Sequence, residues 1–344
     1  MKKRILTILL AGIMAATALT GCNSINNDAT AITVGDTKIS AGEANFYARF
    51  SQAQYETYYS AYIGEDMWNQ EAEEGKTYEE SVKESIQEFL ETMVLLEQHM
   101  DDYDVTLTDA EKKVIEDTAA EFDENNESDN KKLVSGEKEV VERVLTLMAI
   151  QQKMAEAIQA EADTEVSDDE AAQKSMDYVF FAYNTTNESG ESTELSDEEK
   201  AALKTQAETL VKGVKDGGDF TELAKNAGVE VQKATFDDES QTPSADLVKA
   251  ADALKEGEMT EVIETEAGCY VGKVTSLLDR EATDAKKETI VQERKSKLYQ
   301  ETCEKWKKEA DIKVEKDVWK KINFGDLKVT MKVEQQTDEQ DSEN

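Results

Sequence analysis

The sequence predicts an α+β chain in which an all-α module, completed by a helix near the C-terminus, holds an inserted α+β unit. Three observations predict this. Between residues 40 and 162, apolar side chains recur at three- and four-residue spacing, the period of helices that bury one face. From Met176 the pattern changes to short aromatic and β-branched runs alternating with short helices, in the order β-α-α-β-α-β-β. Beyond that unit, Ala282 to Ala310 reads as one long charged helix carrying Ile290, Leu298 and Trp306.

The first element is not structural. Met1-Lys2-Lys3-Arg4 is followed by an uncharged run from Ile5 to Leu19, a basic n-region and apolar h-region of a secretory signal. The run is shorter than the roughly 20 residues needed to span a bilayer. It ends in Leu19-Thr20-Gly21-Cys22, which resembles the bacterial lipobox. That resemblance implies that residues 1–21 are a lipoprotein signal peptide, that Cys22 receives lipid on its thiol, and that the protein is held at the extracytoplasmic face of a cell membrane. Residues 22–30 are polar and aperiodic, a tether.

Residues 31–170 are expected to form the helical module, together with residues 282–320. Ala31 to Ile39 alternates around Gly35-Asp36, a short hairpin. Ser40 then caps a helix, with Glu43 completing a capping box. This helix carries Phe46, Tyr47, Phe50, Tyr55 and Tyr58, an aromatic stripe read either as core packing or as a cradle for a bound chain. Amphipathic helices follow at Thr77–Met100, Thr108–Phe122 and Gly136–Ala162, with Asp123–Asn130 as a polar loop. In the inserted unit, Asp177–Tyr183 reads as a strand and Asn184–Glu194 as a loop. Ser196 caps a helix that Gly217-Gly218 stops, and Asp219 caps a short second helix. Val229–Phe236 is a strand and Ser244–Leu254 a helix. Glu261–Glu264 and Cys269–Val274 are strands about a Gly268 turn. Asp311–Val314 is extended, and residues 330–344 are expected to be a disordered acidic tail.

Composition narrows the chemistry. The formal charge is −37, and loss of Lys2, Lys3 and Arg4 with the signal takes it to −40. A surface this acidic is repelled by nucleic acid and by anionic lipid. The acidity serves solubility, or a preference for basic unfolded chains. His99 is the only histidine, which removes histidine-based metal sites and Ser-His-Asp or Cys-His catalysis, and it is expected on a helix surface. No phosphate-loop or dinucleotide-binding glycine pattern is present, and no metal or cofactor is implied. Cys269 and Cys303 remain beside Cys22, so a disulfide between them stays open.

The segments Gly217-Gly218-Asp219-Phe220-Thr221-Glu222-Leu223-Ala224 and Ala253-Leu254-Lys255-Glu256-Gly257-Glu258-Met259 are followed by Val262–Gly268 and a strand. In this order they resemble the parvulin (PpiC-type) family of peptidyl-prolyl isomerases, over residues 174–279. With the VGDTKISAGEANFY opening and the returning helix, the whole resembles the SurA/PrsA/PpiD group of extracytoplasmic foldases. There the outer segments pack together as a SurA N-terminal-like chaperone module. The lipobox fits the PrsA-type lipoproteins.

The resemblance implies unfolded or partly folded secreted proteins as partners, no nucleic acid, and Phe46, Tyr47, Phe50, Tyr55 and Tyr58 as client contacts; a homodimer is left open. The family pattern places histidines on the first and last strands. Those positions fall on Tyr178 and Tyr270, with Asp237 or Asp238 near the acidic position. The proline-pocket positions fall on Pro243, Leu247 and Asp252, and a carboxylate there would be costly to desolvate. The implied function is a membrane-anchored chaperone with a parvulin fold and weakened or lost catalysis. Its alternatives are an active isomerase and a non-catalytic scaffold lipoprotein.

Overall fold

The computed structural model describes the backbone of residues 14–18 and, in full, residues 25–59, 64, 66–186 and 190–331. Strand β1 (Met14–Ala18) precedes the hairpin β2 (Thr30–Val34) and β3 (Thr37–Ser40) and helix α1 (Ala41–Tyr58). A small hairpin, β4 (Glu71–Glu73) and β5 (Lys76–Thr77), leads into α2 (Tyr78–Gln98), α3 (Asp109–Asn125), α4 (Ser128–Val134) and α5 (Lys138–Ala160). There follow β6 (Lys174–Ala182), β7 (Asn184–Thr186), β8 (Ser192–Glu194), α6 (Asp197–Lys215), α7 (Phe220–Asn226), β9 (Gln232–Phe236) and α8 (Ala245–Asp252). The chain continues through β10 (Ile263–Thr265), β11 (Gly268–Ser276), α9 (Arg280–Glu309), β12 (Ile312–Val314), α10 (Lys316–Trp319) and β13 (Leu327–Met331). The fold class agrees with the expectation: an α+β chain forming two compact units, residues 1–162 with 295–344, and residues 163–294.

The first unit is helical apart from its strands β1 to β5, β12 and β13. Its helices begin where local capping dictates. Ser40 and Glu43, Thr77 and Glu80, and Thr108 and Glu111 each form reciprocal capping boxes. Leu90, Met93 and Leu96 of α2 are fully buried, each worth about 1.5–3 kcal/mol of apolar burial. β12 adds to the hairpin as a third strand, Ile312 opposite Val34 and Val314 opposite Ile32, so the far end of the chain completes a sheet begun at residue 30.

A polar face of α1 makes the second tie between the chain's ends. Asn45, Arg49, Gln52 and Glu56 are spaced by four, three and four residues and share one helix face. Arg49 donates to Gln52 Oε1 (2.7 Å) and to the Asn323 carbonyl (3.0 Å). Gln52 is fully buried, and the two N–H of its amide are shared among Glu56 Oε1 (2.7 Å) and the carbonyls of Phe324 (3.0 Å) and Leu327 (2.5 Å). Burial lowers the Arg49 pKa to about 10, against partial opposition from Glu79, Asp326 and Glu56, and its guanidinium lies 5.8 Å from the Phe324 ring centroid. Hydrogen-bonded in this way, a buried polar face holds a segment that an apolar stripe could not orient.

Several local expectations are corrected. Asp123–Asn130 is not a continuous loop, because α3 runs to Asn125 and α4 begins at Ser128. Asn184–Glu194 contains the hairpin β7–β8. Thr330 and Met331, assigned to the tail, are still strand; residues 332–344 lie outside the described residues. His99 is not simply on a helix surface. It caps α2, stacks on Trp306 with centroids 4.0 Å apart, and pairs with Asp102 at 2.6 Å. Met14–Ala18, inside the expected signal, is a strand antiparallel to β13. Cys269 and Cys303 are both free thiols, held protonated by burial.

The second unit is a four-stranded antiparallel sheet in the order β10-β11-β6-β9. Strand alternation gives it two faces. Val179, Phe181 and Tyr183 of β6 with Cys269 and Val271 of β11 pack under α6 and α7. Met176 and Tyr178 with Val274 and Phe236 face α8 through Leu247, Val248 and Ala251. The β10–β11 turn requires glycine: a β-carbon at Gly268 would collide with the Phe181 carbonyl and the Phe180 ring. Asp168 ties the leading segment to α9 by pairing with Lys287 and with Arg280 (2.6 Å); their hydrogen bonds hold its carboxyl down at about 2.

Candidate functional site

The α8-facing side of the sheet is only half covered. α8 lies over Met176, Tyr178, Val274 and Phe236, all buried, and leaves the partly buried Phe180, Tyr270 and Ile263 toward the other end. Tyr178 and Phe180 are two apart on β6 and so share this face. Tyr270 stands directly opposite Phe180 across the β6–β11 ladder, and Gly272 opposite Tyr178. The Phe180 and Tyr270 rings are stacked at 4.4 Å, and those of Tyr270 and Tyr178 are tilted at 6.2 Å. Gly272 lets α8 approach the sheet beside these rings, because a β-carbon there would meet Leu247 at 3.0 Å and Met176 at 3.3 Å.

The two phenols differ. Tyr178 donates to Gln232 Oε1 at 2.6 Å, so its proton is committed. The Tyr270 hydroxyl has only a long approach, 3.5 Å, to the Pro243 carbonyl. Burial, and then the neighbouring Tyr178, push the Tyr270 pKa up, which keeps it a neutral donor. The patch therefore offers two partly exposed aromatic rings, Phe180 and Tyr270, beside the buried Tyr178, and one loosely held O–H. Aromatic faces take up a pyrrolidine ring, and an O–H can bond to the carbonyl of an amide rotating out of plane.

The carboxylates singled out from sequence do not join this patch. Asp237 lies beyond the far end of β9, about 13–17 Å along the strands from Tyr178 at 3.4 Å per residue. Its carboxylate bonds Gln173 (2.8 Å) and Ser240 (2.7 Å) and pairs with Lys286 (3.1 Å). Burial raises its pKa, but the hydrogen bonds from Ser240, Gln173 and Lys286 outweigh it and hold the group well below the usual carboxylate range. It is a structural anchor. Asp238 is exposed. Asp252 does not enter an apolar pocket: Lys174 binds its side chain at 2.9 Å and its carbonyl at 2.8 Å. Leu247 is fully buried in the cluster that holds Tyr178 and abuts Tyr270, and the Pro243 carbonyl faces the Tyr270 hydroxyl. Phe180, Gln232 and Ile263 were missed. Two-residue alternation from Tyr178 would have found Phe180; Gln232 and Ile263 depend on strand pairing.

The aromatic stripe of α1 is divided. Phe46 and Phe50 are buried core, Phe46 edge-on to Phe122 at 5.4 Å, and cannot contact a client. Tyr47 stacks on Phe89 at 5.3 Å. Tyr55 sits half-buried among Tyr59, Trp68 and Tyr78. Tyr58 and the unforeseen Tyr59 are exposed, at 56% and 51%. Cys22 lies outside the described residues. Among the described residues, no helix is long and apolar enough to cross a membrane and no group of side chains is placed to hold a metal ion.

A family model described as "PPIC-type PPIASE domain" matches residues 183–286. The second unit is accordingly a parvulin-type peptidyl-prolyl isomerase domain by resemblance, with Tyr270 inside the matched span and Tyr178 just before it. No curated protein matches the sequence. Among solved structures, the chain is similar to the peptidylprolyl isomerase PrsA of Bacillus cereus, at 16% identity over 72% of this chain and 93% of that one, TM-score 0.32. It is also similar to the foldase protein PrsA of Lactococcus lactis, at 12% identity, 86% and 97% coverage and TM-score 0.36. A third is a SurA-like chaperone structure from Campylobacter jejuni, at 12% identity, 83% and 99% coverage and TM-score 0.29.

Proposed function

We propose that this chain is an extracytoplasmic protein-folding factor, tethered to the membrane through lipid on Cys22, whose parvulin-type domain holds proline-containing extended segments more than it isomerises them. One observation carries the reading. In the unit that the PPIC-type family model matches over residues 183–286, the sheet face presents Phe180 and Tyr270 beside a buried Tyr178, and no histidine. Rotation about an X-Pro bond faces a barrier of roughly 18–20 kcal/mol, and each 1.4 kcal/mol of selective stabilisation is worth about tenfold in rate. The aromatic faces bind planar and twisted amides alike, which adds affinity without rate. Only the Tyr270 hydroxyl is free to favour the twisted form, so acceleration by the folded protein is on the order of tenfold to a hundredfold. The helical unit supplies chaperone activity through weak, reversible burial of unfolded segments, without nucleotide.

Two assays test the reading. The protein at several-fold molar excess suppresses aggregation of a reduced, unfolded secreted protein, and a proline-peptide isomerisation assay gives the small acceleration above, reduced by Tyr270→Phe. Absence of suppression would overturn the chaperone reading, and acceleration by many thousandfold would replace it with that of an active isomerase. One feature favours that second reading: Asp252 is turned to Lys174, which leaves the patch free of a buried carboxylate. Mass measurement of the exported chain tests the anchor, with residues 1–21 absent and lipid present as the expected result.

A further inference from the structure

We propose that the outer edge of β13 is a strand-addition site for extended, uncharged, small-residue segments of unfolded proteins, filled by Met14–Ala18 until that segment is removed. The proposal rests on the reading of processing before Cys22 and deepens the chaperone reading.

β13 is fixed as a strand without any help from β1. On one edge its backbone is satisfied by α1: Val329 N–H donates to Glu56 Oε2 (2.8 Å), Met331 N–H to Thr57 Oγ1 (2.9 Å), and Leu327 C=O accepts from Gln52 (2.5 Å). One face is equally fixed, with Leu327 and Val329 buried among Phe46, Phe50 and Val141. Backbone groups alternate between the edges of a strand. Those of Lys328 and Thr330 therefore point the other way, toward β1, opposite Thr17 and Ala15 in an antiparallel register. Three side chains of α1 do for one edge what a neighbouring strand would do, so the second edge is already extended and ready to pair.

The segment seated there indicates what fits. Met14-Ala15-Ala16-Thr17-Ala18 carries no charge and no proline, and α4 packs against it as well. The position between β13 and α4 is thus one strand wide. That favours an extended chain over a second folded copy, which would have to bring its own edge past α4. Unpaired edges are normally blunted because they recruit other chains. Here the edge carries a single charge, Lys328, and strand addition is a known way of gripping a chain through backbone bonds with little side-chain selectivity, a property suited to varied unfolded segments.

The test is residue-resolved amide exchange on the full chain and on the chain processed before Cys22. In the full chain, Lys328, Val329, Thr330 and Met331 are all protected. In the processed chain, Val329 and Met331 stay protected by Glu56 and Thr57 while Lys328 and Thr330 exchange freely. A peptide of residues 13–19 at ten times its Kd slows those two about tenfold. The same peptide with A15P and T17P, which removes the N–H groups facing β13, does not. Loss of protection at Val329 and Met331 on processing would overturn a preformed edge. Protection of Lys328 and Thr330 that grows with protein concentration alone would assign the edge to a second copy and overturn the proposal. Suppression of client aggregation without peptide protection would overturn the β13 site and leave the chaperone reading standing. Peptide protection without suppression would overturn the client assignment.

Discussion

Replacing Gln52 with leucine tests the tie between α1 and the end of the chain. The volume is nearly conserved, so no cavity is opened, and what changes is hydrogen bonding. The Phe324 and Leu327 carbonyls lose their donor and Arg49 loses one acceptor, keeping Asn323 and Asn45. A buried group deprived of its partner costs about 1–3 kcal/mol. With Arg49 partly compensated by Asn323 and Asn45, the two orphaned carbonyls and the one lost acceptor give an expected loss of about 3–5 kcal/mol. Against a domain stability of about 5–15 kcal/mol this is a fifth or more. The assay is urea unfolding followed by tryptophan fluorescence, since Trp68, Trp306 and Trp319 all belong to the first unit and report it alone. Tyr58→Ser, at an exposed position of the same helix, is the control, and its loss should stay below about 1 kcal/mol. A Gln52→Leu loss under about 1 kcal/mol would refute the argument that α1 holds the terminal segment through this side chain.

The other expectations concern the second unit. Gly272→Ala places a β-carbon against Leu247 and Met176, shifting α8 and weakening the unit by about 1–3 kcal/mol, read from amide NMR of Val179 and Val271. Tyr270→Phe leaves stability within about 1 kcal/mol but reduces proline-peptide acceleration about tenfold, whereas Phe180→Ala chiefly weakens peptide affinity, separable by fluorescence titration. Asp237 has a depressed folded pKa, so its contribution is complete above the unfolded value near 4 and is lost as pH falls toward the folded one. Unit stability should therefore decline in urea titrations below about pH 4, and Asp237→Asn should flatten part of that decline while lowering stability at pH 7. Because the patch contains neutral phenols and no histidine, peptide binding should not change between about pH 5 and 8; a midpoint near 6.5 would contradict the assignment.

Local chemistry made much of this protein legible in its sequence. Ser40 with Glu43, Thr108 with Glu111 and Ser196 with Glu199 start helices within four residues, and all three pairs form capping boxes. The β2–β3 hairpin and the change to two-residue alternation at β6 are equally local, and they were sufficient to read an α+β unit set into a helical one. Tertiary structure decided what depends on residues far apart in the chain. Phe46, Phe50, Tyr55 and Tyr58 look alike along α1, yet only packing against α3, α5 and β13 separates core from surface. Nothing local marks Asn45, Arg49 and Gln52 as buried; carbonyls 270 or more residues away satisfy Arg49 and Gln52. Asp252 reads as a costly pocket carboxylate until Lys174 draws it aside. A polar side chain is tolerated in the interior only when a partner of the right geometry is delivered to it, and in this chain those partners come from the other end of the fold.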